Sequence, residues 1–127
     1  MSNKAILIVD DSMTVRQQVA MILNLAGYEI LEACDGQEGL ERVQANPSVA
    51  MILCDLNMPR MNGLEFLETM KGDAAGPPMP VVMLTTDGSS ELIARAKRAG
   101  AKGWIVKPFQ PDLLLTAVRR LAGPPSA

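Results

Sequence analysis

The chain has 127 residues, a length that suits one domain with one sizeable core. Hydrophobic residues make up 48% and charged residues 20%, a globular rather than disordered composition, and the net charge of -2 argues against a nucleic-acid binder. No apolar run approaches the roughly 18 residues of a membrane helix, and the absence of histidine removes histidine triads, histidine metal sites and histidine proton shuttles together.

Met1-Ser2-Asn3-Lys4 shows no signal-peptide pattern and leads directly into a strand, so a cytoplasmic protein without membrane insertion is expected. Ala5-Ile6-Leu7-Ile8-Val9 is a short apolar run that reads as a buried strand, and it ends in Asp10-Asp11. Ser12 or Thr14 can cap a first helix carrying Val15, Val19, Ile22, Leu23 and Ala26, with Gly27 as its stop. Glu29 to Ala33 is a second short strand, and Asp35-Gly36 turns the chain into a helix with Leu40 and Val43 on one face. That helix should end before Asn46-Pro47.

Met51-Ile52-Leu53-Cys54-Asp55 follows, an apolar run that ends in a carboxylate and is closed by Pro59. It reads as a strand buried on both faces, with Asp55 at its C-terminal end. Gly63 begins a third helix, and Gly72 to Pro78 is a loop by composition. Pro80 to Thr85 is a fourth buried strand. Ser89 or Ser90 caps a helix that Gly100 stops, Gly103-Trp104-Ile105-Val106 is a fifth strand, and Leu113, Leu114, Ala117, Val118 and Leu121 mark a last helix. Residues 123–127 read as a frayed tail. Cys34 and Cys54 have neither CxxC nor metal spacing, and both read as small hydrophobes.

Strands alternating with helices imply βαβ units and a parallel α/β sheet covered on both faces. In such sheets ligands bind at the C-terminal strand edge. Asp10, Asp11, Asp55, Thr85 and Lys107 all fall at that edge. Taken singly, each is an ordinary cap or solvated side chain; their conjunction suits phosphate and metal chemistry. Crowded carboxylates call for a cation, and a set of oxygen ligands favours Mg²⁺, with Mn²⁺ able to substitute. Lys107 offers a charge and Thr85 a hydrogen bond to phosphate oxygens, which places Asp55 as a nucleophile toward phosphorus.

Val9-Asp10-Asp11-Ser12, Asp55-Leu56-Asn57-Met58-Pro59-Arg60-Met61-Asn62-Gly63, Leu84-Thr85-Thr86 and Lys107-Pro108-Phe109 together resemble a response-regulator receiver domain, of the single-domain chemotaxis (CheY) type. The resemblance spans about residues 4–122 of a single receiver domain, 1–127. It implies a flavodoxin-like (βα)5 three-layer sandwich with strand order 2-1-3-4-5. It further implies that Asp55 accepts phosphate from a sensor histidine kinase. Asp10, Asp11, Asp55 and the Asn57 carbonyl would hold Mg²⁺, and Thr85, Thr86 and Lys107 would meet the phosphoryl group. The Lys107–Pro108 bond would be cis. Thr85 would switch together with the aromatic of the fifth strand, remodelling the face of the fourth helix, fifth strand and last helix.

Trp104 stands where the family usually has Tyr or Phe, so its position carries over and the rotamer mechanism does not. Asn57 and Asp87 lie where the family varies phosphate lifetime. The expected protein is a signalling phosphoacceptor rather than an enzyme: a monomer docking on a downstream motor or motility protein, with a phosphatase as a further possible partner. A phosphate sink and a degenerate receiver are the alternatives. A haloacid-dehalogenase-like phosphatase would need a second aspartate two residues after its nucleophile, and Ser12 stands there after Asp10.

Overall fold

A computed structural model describes residues 4–72, 77–86 and 89–125. Its elements run β1 (Ala5–Val9), α1 (Met13–Leu25), β2 (Glu29–Ala33), α2 (Gly36–Ala45), β3 (Met51–Asp55), α3 (Gly63–Lys71), β4 (Val81–Thr85), α4 (Ser90–Arg98), β5 (Gly103–Val106) and α5 (Pro111–Ala122). The strands form one parallel sheet in the order β2-β1-β3-β4-β5. This is the flavodoxin-like arrangement and strand order that the resemblance implied. No helix among the described residues is long and apolar enough to cross a membrane.

β3 lies in the middle of the sheet, and its five residues are all buried. Its side chains alternate between two cores. Ile52 and Cys54 join Leu7, Val81 and Met83 under α2, α3 and α4, where Leu40, Phe66, Leu67 and Ala96 pack. Met51 and Leu53 join Ile6, Ile8, Val82 and Leu84 under α1 and α5, against Val19, Leu23, Leu114 and Val118. Each fully buried aliphatic side chain contributes about 1.5–3 kcal/mol, so the sheet is a stiff base for whatever its C-terminal edge carries.

Local signals set the helix ends. The Ser12 hydroxyl accepts from the Val15 N–H, Asp35 from Glu38 and Ser89 from Leu92. Asn62 and Glu65 form a reciprocal capping box at the start of α3. Gly27 and Gly100 have φ of 100° and 99°, the left-handed stops expected after α1 and α4.

The chain does not fray immediately after α5. The Lys4 N–H donates to the Pro125 carbonyl at 2.7 Å, the Lys4 ammonium to Ala122 at 2.7 Å, and the Tyr28 hydroxyl to Gly123 at 2.6 Å. Donors of the residues just ahead of β1 and β2 thus find partners in residues 122–125, which corrects the expected loose tail as far as Pro125.

Candidate functional site at the C-terminal edge of the sheet

Parallel pairing puts the ends of β1, β3, β4 and β5 side by side, so Asp10, Asp55, Thr85 and Lys107 converge as expected. Asp10 is fully buried and follows β1 directly. One of its oxygens accepts the Ser12 N–H at 2.8 Å, which turns the chain into α1; the other accepts the Lys107 ammonium at 2.7 Å. Asp55 is 6% exposed, and its Oδ1 lies 2.9 Å from the Leu56 N–H and 3.4 Å from Lys107 Nζ. Asp11 is exposed at the rim, yet carboxylate oxygens of Asp10, Asp11 and Asp55 all lie within 4.8 Å of one another. Lys107 is therefore not a solvated residue: its side chain is 14% exposed and bridges two carboxylates. The Lys107–Pro108 bond is cis.

Burial and the neighbouring Asp10 charge raise the pKa of Asp55 above the usual carboxylate value, against the pull of Lys107 and the Leu56 N–H. Carboxylates outnumber the one ammonium set among them. A pocket of this kind is electrostatically incomplete, and its hard oxygen donors, one of them open to water, suit Mg²⁺.

Thr85 is fully buried at the end of β4, while Thr86 and Asn57 are exposed beside the cluster. Asp87 lies outside the described residues. Trp104 is half-buried and packs on the core beneath α2, α3 and α4. Its indole Nε1–H is buried with no hydrogen-bond partner among the described residues. Cys54 is sealed: burial first, then the Asp55 and Asp10 charges, push its thiol well above the usual range, in keeping with a small hydrophobe.

Three supports escaped the sequence reading. Arg16 donates to the Asp10 carbonyl at 2.7 Å and pairs with Glu32 at 3.0 Å; its signal was that it is the one charged residue within α1. Gly63 reads as a helix start, but a Cβ there would fall inside contact distance of the Asp55 carbonyl oxygen and 2.8 Å from Met83. The third support is the contact of Asp35 with Arg60, at 2.8 Å from Nε. No spacing rule links residues 25 apart.

The sequence profile of the response regulator receiver domain matches residues 6–119. The chemotaxis protein CheY1 of Helicobacter pylori is 39% identical over 110 residues, covering 86% of this chain and 89% of the relative. Among solved structures, CheY4 of Vibrio cholerae superposes with a TM-score of 0.85 at 41% identity, covering 93% of this chain and 98% of that one. The CheX–CheY–BeF3–Mg complex of Borrelia burgdorferi matches with a TM-score of 0.85 at 28% identity over 92% of this chain and 87% of that one.

Proposed function

This chain belongs to the response-regulator receiver family, and on that premise we propose that it is a phosphoacceptor switch of a chemotaxis-type two-component system, with Asp55 as the acceptor. The observation that carries the proposal is the gathering of Asp10, Asp11 and Asp55 within 4.8 Å at one sheet edge, with Lys107 bridging two of them.

Asp10, Asp11, Asp55 and the Asn57 carbonyl would hold the Mg²⁺, which when bound neutralises the carboxylates and incoming phosphoryl oxygens. An Asp55 carboxylate oxygen attacks the phosphorus of a phosphohistidine. A P–O bond forms, the P–N bond breaks, and the imidazole leaves and takes up a proton. The catalytic share of this chain is positioning and charge neutralisation. Lys107 already spans the carboxylates that the phosphoryl group would approach, so it can follow the added charge with little reorganisation. Thr85 and Thr86 supply hydroxyls beside it, and Asn57 and Asp87 tune how long the phosphate lasts.

The output is a change at the face of α4, β5 and α5. Thr85 and Trp104 occupy neighbouring strands, with Thr85 paired to Val106 two residues beyond Trp104. A threonine drawn toward a phosphoryl oxygen would loosen the packing around the indole, whose N–H has no partner among the described residues. The face would then dock on a motor or motility protein. The kinase, the target and a phosphatase are the partners in this scheme, and the switch acts as a monomer. The Borrelia burgdorferi CheY in complex with CheX, BeF3 and Mg offers a precedent for a partner meeting a receiver in that state.

Incubation with acetyl phosphate and Mg²⁺, read by phosphate-affinity electrophoresis, tests the proposal. The wild type should be labelled and Asp55→Asn should not. Equal labelling of the two would remove Asp55 from its role. Beryllium fluoride with Mg²⁺ should change Trp104 fluorescence, and a silent indole would sink the coupling to β5.

A further inference from the structure

The loop between β3 and α3 carries Asn57, and it is held at two places. At its base the Gly63 N–H donates to the Leu56 carbonyl at 2.8 Å. At its far side it is strapped to the start of α2. The Arg60 guanidinium reaches Asp35 Oδ2 through Nε at 2.8 Å, and the Met61 carbonyl accepts the Gly36 N–H at 3.2 Å. The fit is close: a Cβ on Gly36 would lie 2.7 Å from Met61 Cγ and 2.8 Å from its carbonyl oxygen.

Two features separate this strap from an ordinary surface ion pair, which is worth little. Arg60 is the one residue other than glycine with positive φ, 64°, among the described residues. Such a conformation costs free energy and persists only where surrounding contacts impose it. The Asp35 side chain is 4% exposed and immobile, because its other oxygen accepts the Glu38 N–H at 2.8 Å and so caps α2. Arg60 is thus anchored to a fixed carboxylate, and the anchoring sets the path of the loop on the side of Asn57 away from β3.

We infer that Asp35 and Arg60 are positioning residues for Mg²⁺ binding: their ion pair holds the 57–62 loop in the conformation from which the Asn57 carbonyl serves as a ligand. The inference rests on the proposed phosphoacceptor reading, and it assigns to α2 a part in the metal site. Outer partners that orient metal ligands commonly change affinity by tenfold or more when removed.

Arg60→Gly tests this without unfolding the chain, since glycine accepts the left-handed backbone while losing the guanidinium. Asp35→Asn keeps a capping oxygen for α2 while losing the charge. Calorimetry with MgCl2 should show both variants binding about tenfold more weakly than wild type, and amide exchange over 57–62 should accelerate in the metal-free protein. Both variants should lose some stability with the ion pair, and urea titrations should show them fully folded under the assay conditions. Arg60→Lys should recover part of the affinity, and saturating Mg²⁺ should restore acetyl phosphate labelling to Arg60→Gly but never to Asp55→Asn. If wild type binds Mg²⁺ and both strap variants bind it equally well, the strap is only structural and the inference falls alone. If wild type binds no Mg²⁺, the phosphoacceptor reading falls and takes the inference with it.

Discussion

Two aspartates near the C-terminal edge of the sheet are almost equally buried, Asp35 at 3% exposure and Asp55 at 6%, yet they live in opposite electrostatic states. At Asp35 the Glu38 N–H, the Arg60 guanidinium and the Cys34 thiol together outweigh burial, and its carboxyl is held below the usual range. At Asp55 burial and the Asp10 charge outweigh Lys107 and the Leu56 N–H, and its carboxyl is pushed above that range. Location therefore does not separate Asp35 from the proposed phosphoacceptor. Satisfaction does: Asp35 has the partners its charge needs, whereas Asp55 is short of positive charge and can gain by meeting a cation.

Backbone packing separates the two corners as well, and supplies the largest expected effect. A methyl at position 63 would press on the Asp55 carbonyl and on Leu56 Cα, atoms of buried main chain that cannot yield. Gly63→Ala should cost about 3 kcal/mol in urea unfolding and slow acetyl phosphate labelling. Gly36→Ala meets mainly the flexible Met61 side chain, besides its carbonyl, and should cost about half as much. Equal costs would mean that the Asp55 corner is no stiffer than the Asp35 corner.

Next in size is Asp35→Ala, which removes the cap of α2 and should cost about 1–2 kcal/mol at neutral pH. The sign of its pH dependence follows from the lowered pKa. A carboxylate more acidic in the folded than in the unfolded state stabilises above its unfolded pKa, and that stability is lost as pH falls through the folded value. The deficit of Asp35→Ala should therefore be constant at neutral pH and shrink below about pH 4. A deficit independent of pH would assign the cost to packing instead.

Much of this was legible in the sequence because the signals were local. Buried parallel strands declare themselves as short apolar runs, so Ala5–Val9, Met51–Asp55 and Val81–Thr85 could be read directly. Their polar ends then had to share an edge, which brought Asp10, Asp55, Thr85 and Lys107 together on paper. Strand order came from the resemblance, since right-handed crossovers alone leave several orders open. What stayed hidden depended on contacts between distant residues. Asp35-Gly36 looked like a turn and Arg60 was one residue of a longer motif, and only the fold sets one against the other. Gly63 looked like a helix start because nothing in a sequence shows a carbonyl pressed against a missing Cβ. Residues 123–125 looked loose because their partners, Lys4 and Tyr28, stand at the opposite end of the chain.

The smallest expected effect is the one that tests the comparison most directly. For Asp55 the folded-state pKa is raised, so ionised Asp55 penalises the fold above that pKa, and the penalty is relieved as pH falls through it toward the unfolded value. Asp55→Asn keeps the shape, removes the charge and leaves Lys107 to Asp10 at 2.7 Å. In metal-free buffer at neutral pH it should therefore be more stable than wild type by about 1 kcal/mol, the scale of a single stabilising substitution. The gain should fade as pH falls through the raised pKa of Asp55, where wild type takes up its proton, and be gone at the ordinary carboxylate value of about 4. The two aspartates thus act in separate windows, Asp55 above the ordinary carboxylate pKa and Asp35 below it, with opposite signs. Added Mg²⁺ should reverse the ranking of wild type and Asp55→Asn at neutral pH, because a cation that binds the folded state stabilises the protein whose site is intact. If Asp55→Asn is less stable than wild type in metal-free buffer, Asp55 is satisfied in the way Asp35 is, and the electrostatic deficit is not what prepares the site for its ligand.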